Sequence, residues 1–152
     1  TRLEAAGPAT AFVEAVQRTG ALAVEAWATP AVPLRDGTQR LVTISDGSSR
    51  RNVTLGIGGL FADEPSDVWV SRLRTTATDD NGLPALSTPD GSARPTLTHV
   101  VVVRTRDGRH ELWVDGVKMA TRALGGSFAG WDPTFRVAIG DEWDTTDDRR
   151  AF

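Results

Sequence analysis

Short runs rich in β-branched and aliphatic residues alternate along most of the chain with turn signals. The turn signals are mainly Asp-Gly and Asn-Gly dipeptides, which accept the positive φ that tight hairpin turns require. Many short strands joined in this way predict an all-β fold, an antiparallel β-sandwich or barrel. The predicted strands cover residues 22–29, 39–45, 52–58, 67–75, 97–105, 109–114, 117–123 and 135–140.

The clearest pattern is a three-stranded meander at 97–123. Its strands are separated by the dipeptides Asp107-Gly108 and Asp115-Gly116. The first strand contains four consecutive valines, from Val100 to Val103. A strand that is apolar on both faces is predicted to be central in its sheet and covered on both sides.

At most one short helix is predicted, at residues 8–18 near the N-terminus. Pro8 lies at its start and Gly20 just past its end, as helix termini prefer. At about three turns it depends on tertiary packing for its stability. Residues 30–40, 76–95 and the acidic segment 141–148 are predicted to be loops.

Composition excludes several classes of function but does not identify one. The 152 residues fit one domain, 1–152, and the absence of cysteine excludes disulfides, thiolate metal sites and cysteine nucleophiles. A net charge of −3 gives no basic field for a nucleic acid. No apolar run approaches the ~18 residues that membrane insertion would require. Neither His99 nor His110 accompanies a serine in a nucleophile motif, so no Ser-His pair is predicted.

Several segments together resemble a bacterial laminin G-like domain of the concanavalin A-like lectin/glucanase superfamily. They are the strand motif of residues 22–30 (LAVEAWATP), the meander motif of 97–103 with 112–116 (LTHVVVV and LWVDG), and the late motif of 131–133 with 136–140 (WDP and RVAIG). The similarity spans roughly residues 20–150.

The resemblance implies a jelly roll of two curved antiparallel sheets. It implies a core or sheet-packing position for Trp27, Trp113 and Trp131. It also implies a final strand that would follow residue 152. Two alternatives stay open: the given chain ends before that strand, or the N-terminal segment occupies the vacant sheet edge. By the same resemblance the domain is expected to be secreted or at the cell surface, within a larger multidomain protein.

Three residues are candidates for ligand binding. Trp143 lies in the acidic loop, where an exposed aromatic ring can stack on the apolar face of a sugar. Arg72 and Arg74 alternate along one predicted strand, so they share a face of it that points to solvent or to a ligand.

Calcium is the one cofactor that the sequence suggests. Ca²⁺ prefers several oxygen ligands from carboxylates, amides and carbonyls. Two loops supply such oxygens, and laminin G-like domains often hold calcium at the rim of the sandwich. The alternative is that these residues serve turns. The candidate ligands are Asp79, Asp80 and Asn81 in one loop, and Asp141, Glu142 and Asp144 in the other.

The best-supported function is a noncatalytic binding or adhesion module that presents rim loops to a glycan or protein ligand. An alternative is a glycoside hydrolase-like domain, because Glu142, Asp144 and Asp147 resemble the E-x-D-x-x-E pattern of laminarinase-type enzymes. The last residue is Asp rather than Glu, and the flanking residues favour a loop over a strand. A structural spacer without a ligand is the third hypothesis.

Overall fold

The computed structural model describes residues 2–31, 38–59, 65–143 and 152, and these form a sandwich of two antiparallel sheets with one helix. The elements are β1 (Leu3–Pro8), α1 (Thr10–Thr19), β2 (Leu22–Ala28), β3 (Gln39–Ser45), β4 (Arg51–Ile57), β5 (Trp69–Leu73), β6 (Leu86–Ser87), β7 (Thr98–Arg104), β8 (Arg109–Val114), β9 (Val117–Ala123) and β10 (Arg136–Ile139).

The first sheet has six strands in the order β1-β10-β3-β4-β5-β6, and the second has four in the order β2-β7-β8-β9. The predicted fold class, an all-β sandwich with one short helix, is confirmed. The predicted meander is confirmed as β7, β8 and β9, and it forms most of the four-stranded sheet. Strands that carried a strong β-branched pattern were located to within two residues at each end.

Two strands were not predicted, β1 and β6. The β1 sequence, LEAAGP, contains no β-branched residue, and it is a strand because it pairs with β10. Leu3 lies opposite Ile139 and Glu4 opposite Ala138 in this pairing. The N-terminal segment therefore forms the edge strand of the six-stranded sheet, beside β10. Long-range pairing of this kind leaves no local signal in a sequence.

The core lies between the two sheets and continues under the helix. Leu55, Ile57 and Trp69 of the six-stranded sheet meet Val100, Val102 and Leu112 of the four-stranded sheet. At one end of the sandwich, Val13 and Val16 of the helix pack on Val53, Leu73, Phe128 and Trp131. The helix begins at Thr10 rather than at residue 8, because Pro8 is paired in β1.

The valine run of β7 is covered differently from the expectation. The strand is central in its sheet, between β2 and β8, as predicted. Val100 and Val102 are fully buried, but Val101 and Val103 are only half-buried, so the expectation of cover on both sides was wrong. Strands β4 and β5 are the ones that are buried at every position. The outer face of the four-stranded sheet is therefore accessible.

The turn between β8 and β9 depends on Asp115. Its φ is +48°, and its Oδ1 accepts a hydrogen bond of 2.9 Å from the backbone N–H of His99. We expect Asp115→Ala to lower the free energy of unfolding by about 1–2 kcal/mol, because it removes this bond and makes the positive φ more costly.

Urea unfolding checks this expectation. Asp115→Asn keeps the oxygen acceptor and tolerates the left-handed conformation, so it should stay close to wild type. Asp90→Ala, at an exposed turn, is the matched control. An equal effect of Asp90→Ala and Asp115→Ala would contradict the assigned role.

Candidate functional site

An exposed tryptophan lies on the outer face of the four-stranded sheet. Trp27 of β2 is 61% exposed, so of the core or sheet-packing position that the family resemblance implied, a place in the core is excluded. Its ring stacks on the imidazole of His99, with 4.2 Å between the centroids and 17° between the planes. The imidazole Nε2 lies 2.8 Å from Oε1 of Glu25, two residues along β2. One side of the Trp27 ring therefore packs on the His99 imidazole, and the Glu25 carboxylate holds that imidazole in place.

The same face carries a second tryptophan, Trp113 of β8. Its indole N–H donates a 3.0 Å hydrogen bond to Oε2 of Glu111, and the Lys118 ammonium lies 5.5 Å from its ring centroid. Lys118 also lies 3.4 Å from Oε1 of Glu111. Trp113 is half-buried, which places it at the sheet surface rather than in the core.

Strand register connects the two aromatic rings into one surface. Trp27 pairs with His99, and Val101 pairs with both Glu25 and Trp113. We call this outer surface, made of Glu25, Trp27, His99, Val101 and Trp113, the aromatic face. The sequence analysis missed it. The signal that could have found it is the period-two alternation of β2 and β7, which puts these residues on one side.

The outer face of the six-stranded sheet is polar, and its centre is buried. Glu142 is fully buried, and its Oε2 accepts hydrogen bonds from Nε of Arg40 at 3.2 Å and from Nη1 of Arg51 at 3.4 Å. Its Oε1 accepts hydrogen bonds from the Ser45 hydroxyl and from the backbone N–H of Trp143. We call Arg40, Ser45, Arg51 and Glu142 the glutamate–arginine cluster. Its carboxylate is committed to internal partners.

The three predicted ligand-binding residues are spread along the six-stranded sheet and the segments that follow its strands. Arg72 is buried and donates to Thr38 Oγ1, and Arg74 forms a 2.6 Å ion pair with Asp80. Arg72 lies within β5, whereas Arg74 follows its last residue, Leu73, and the buried Arg72 does not point to solvent. Trp143 is half-buried against Arg136, whose Cζ lies 3.9 Å from the ring centroid. The strand order places β4, β3 and β10 between Arg72 and the Trp143 region, so the structure does not bring the three together.

The predicted calcium ligands have other partners where the structure describes them. Asp79 Oδ1 accepts the backbone N–H groups of Asn81 and Leu83, at 2.9 and 2.8 Å. Asp141 Oδ1 accepts the N–H of Glu142 at 2.7 Å. Asp144 lies outside the described residues, as does Asp147 of the hydrolase alternative. Within the described ranges, no three acidic or histidine side chains are grouped so that they could hold a metal ion. Calcium binding stays a prediction.

A buried Ser-His pair connects the two sheets, although no such pair was predicted. Ser71 Oγ of β5 lies 2.9 Å from Nε2 of His110 of β8, and both residues are fully buried. The pKa of His110 is lowered to about 3, first by burial and then by the charges of Arg122 and Arg104. The imidazole is therefore neutral at ordinary pH. A pair with no solvent access has a structural role.

The described part of the chain has one helix, and it is too short and too polar to cross a membrane. No curated protein matches the sequence. Solved structures with the same fold do match. The CBM40 of Ruminococcus gnavus IT-sialidase aligns with a TM-score of 0.58 at 17% identity, over 93% of this chain and 79% of that one.

Two further structures are similar to this chain. One is botulinum neurotoxin type C, described as dependent for cell entry on two ganglioside molecules; it aligns with a TM-score of 0.56 at 14% identity, over 88% of this chain and 31% of that chain. The other is the heptameric SAP-like pentraxin of Limulus polyphemus, with a TM-score of 0.53 at 14% identity, over 86% of this chain and 57% of that one. At such identities these similarities show a shared fold.

The sequence itself matches a family model over nearly its full length. That model is a laminin G family described as part of the concanavalin A-like lectin/glucanases superfamily, and the match covers residues 5–152. The two antiparallel sheets agree with it, and so does the position of the meander. This chain belongs to the laminin G-like domains of the concanavalin A-like lectin/glucanase superfamily.

Proposed function

We propose that this domain is a noncatalytic glycan-binding module. The observation that carries the proposal is the exposed stack of Trp27 on His99, on the outer face of a rigid sheet. Leaving a large aromatic ring exposed to water costs free energy of folding. Such exposed rings are typical anchors of binding surfaces. The folds that this chain resembles include a carbohydrate-binding module and a ganglioside-dependent toxin, which supports the same class of ligand.

The surroundings of Trp27 suit a sugar. The flat indole offers a surface for the C–H groups on one side of a pyranose ring. Beside it, the Glu25 carboxylate has an exposed side chain and can accept hydrogen bonds from sugar hydroxyls. Because His99 holds the ring and Glu25 holds His99, little side-chain entropy is lost when a ligand binds. The surface is preorganised.

The hydrolase alternative has less support. A retaining enzyme needs two carboxyl groups about 5–5.5 Å apart that both reach the substrate. Of the three acidic residues in that hypothesis, Glu142 is the one within the described chain, and its carboxylate is fully buried between two guanidinium groups. A carboxylate held in this way is suited to stabilising the fold.

The setting of the module is part of the proposal. A glycan-binding surface without catalytic groups acts by holding a neighbouring domain or a cell close to its ligand. We therefore place the domain outside the cell, secreted or at the cell surface, as one unit of a larger protein. Adhesion to a glycan-bearing surface would follow from the same interaction.

The proposal is tested by glycan-array binding of the wild type and of Trp27→Ala. We expect at least about a tenfold loss of affinity in the variant, because truncating an aromatic anchor costs roughly 2 kcal/mol or more. Leu3→Ala is the matched control, because Leu3 is 65% exposed but lies on the other sheet. A wild type that binds no glycan, or binding that Trp27→Ala leaves unchanged, would refute the proposal.

A further inference from the structure

We infer, on the basis of the proposed glycan-binding function, that the aromatic face selects uncharged oligosaccharides and disfavours sialylated or sulfated ones. The inference rests on three features: the arrangement of two tryptophans, the sign of the charges beside them, and the place in the fold where the arginines lie.

The two tryptophans set the extent of the site. Trp27 and Trp113 lie on strands that flank β7, with Val101 between them in the sheet. Two strand spacings and a two-residue step place their Cα atoms roughly 12 Å apart. That separation is too large for both rings to contact one pyranose. Each ring would contact a different sugar unit, so the ligand is an oligosaccharide that crosses the half-buried Val101.

The charged groups of this surface are mostly acidic. Next to Trp27 lie the carboxylates of Glu25 and Asp115, both of which contact His99. Next to Trp113 lies the Glu111 carboxylate, which is matched by the Lys118 ammonium. The remaining ion pair on this sheet, Arg109 with Asp107, lies at the far end of β8 and is internally balanced. The two carboxylates beside Trp27 therefore make the surface around it negative.

A negative surface that offers hydrogen-bond acceptors prefers uncharged sugars to anionic ones. Carboxylates accept hydrogen bonds and repel anions, so they bind the hydroxyl groups of an uncharged sugar and oppose a ligand carboxylate or sulfate. Two cations lie near these carboxylates, and both already have partners. The Lys118 ammonium contacts Glu111 and the Trp113 ring, and Nε of Arg94, which lines a pocket with Asp115, donates to the carbonyl of Gly91.

Three buried guanidinium groups, which would suit an acidic glycan, lie on the other sheet. Arg40, Arg51 and Arg72 are buried on the outer face of the six-stranded sheet, which is the opposite side of the sandwich. The aromatic face and these arginines therefore lie on opposite sides of the sandwich. A ligand that rests on Trp27 meets acidic groups and not this set of guanidiniums.

The test uses an array of neutral oligosaccharides, each printed beside its sialylated and its sulfated derivative. Binding is measured at pH 8, where an ordinary imidazole is neutral, in 20 mM NaCl and in 500 mM NaCl. We expect the neutral member of each pair to bind about tenfold more tightly at low salt, and the difference to shrink at high salt because screening weakens the repulsion.

Three variants locate the effect. Glu25→Gln should narrow the difference between neutral and acidic ligands to about threefold at low salt, because one repelling charge is removed. Trp27→Ala and Trp113→Leu should each weaken the binding of longer neutral ligands, with Tm measured to confirm folding. If Trp113→Leu unfolds, ligand-length dependence of the wild type replaces it: a single sugar unit should bind much more weakly than an oligosaccharide.

The outcomes separate the two proposals. Acidic derivatives that bind as tightly as their neutral partners, with binding still lost in Trp27→Ala, would refute the selectivity and leave the glycan-binding function intact. Equal binding of one sugar unit and of oligosaccharides would refute the two-tryptophan site. If no glycan of any charge binds, the proposed function itself fails.

Discussion

Glu142→Gln should lower the free energy of unfolding by about 3 kcal/mol or more, because it removes the charge from a fully buried ion-pair cluster. The carboxylate accepts hydrogen bonds from Arg40, Arg51 and Ser45 and is inaccessible to water. In the variant, an amide –NH₂ group replaces one acceptor oxygen and faces side chains that are themselves donors. The two guanidinium groups also lose the negative charge beside them in a low-dielectric surrounding, where that loss is most costly.

Urea unfolding of three proteins checks this expectation. Glu4→Gln is the matched control, because Glu4 pairs with Arg2 at the surface and such exposed pairs contribute at most about 1 kcal/mol. Glycan binding by Glu142→Gln should persist in the folded protein, since the cluster lies on the opposite sheet from Trp27. If both variants lose the same small amount of stability, the cluster does not have the role that its burial implies.

The stability of the domain should fall as pH is lowered from 7 to 5, and His110 should account for the fall. The pKa of His110 is lowered to about 3 in the folded protein, mainly by burial, whereas an unfolded histidine has a pKa of about 6.5. Between these two values the unfolded chain binds a proton that the folded protein does not. Acid therefore favours unfolding throughout this window, by about 1.4 kcal/mol per pH unit well inside it and by about 2 kcal/mol between pH 7 and 5.

The two histidines of the chain provide the comparison. His110→Gln, which keeps a polar group within reach of Ser71, should flatten the dependence of unfolding free energy on pH between 7 and 5. His99→Gln, on the accessible outer face, is the matched variant for the loss of one histidine. Two carboxylates with shifted pKa values take up protons outside this window. The pKa values of Asp107 and Asp132 are lowered by hydrogen bonds from Thr105 and Thr134, so these groups take up protons at a more acidic pH. A wild-type slope in His110→Gln would disprove the assignment.

Both predictions concern groups that stabilise the sandwich. These groups lie in other parts of the fold than the residues of the proposed binding surface. The glutamate–arginine cluster lies on the outer side of the six-stranded sheet, and the Ser71–His110 pair lies between the sheets. The aromatic face lies on the outer side of the four-stranded sheet. Variants of Trp27 should therefore change glycan affinity with little change in stability, because Trp27 is largely exposed.

The candidate calcium ligands show what local composition leaves open. Asp79, Asp80 and Asn81 suggested a metal site because they offer many oxygens in a short loop. In the structure, Asp79 Oδ1 accepts two backbone N–H groups of its own turn, and Asp80 pairs with Arg74. Asp and Asn are favoured in turns for this reason. A metal site would require oxygens from distant parts of the chain, and the sequence does not show which of them approach one another.

Trp27 shows that local sequence also leaves open which apolar residues are exposed. The strand pattern around Trp27 correctly placed it in β2, and its resemblance to the family correctly indicated the fold. Neither showed that its face of the sheet is open to water. The alternation of side chains divides a strand into two faces, but what covers each face depends on elements elsewhere in the chain.

The sequence by itself determined what depends on neighbouring residues. Asp-Gly turns and β-branched runs located the meander of β7, β8 and β9, and the ordered motifs indicated the family. The tertiary structure decided what depends on distant residues: the pairing of β1 with β10, the burial of Glu142 between Arg40 and Arg51, and the accessibility of Trp27. The physical reason is that turns and strand alternation are properties of a few adjacent residues. Burial and ion pairing arise only when segments far apart in the chain are packed together.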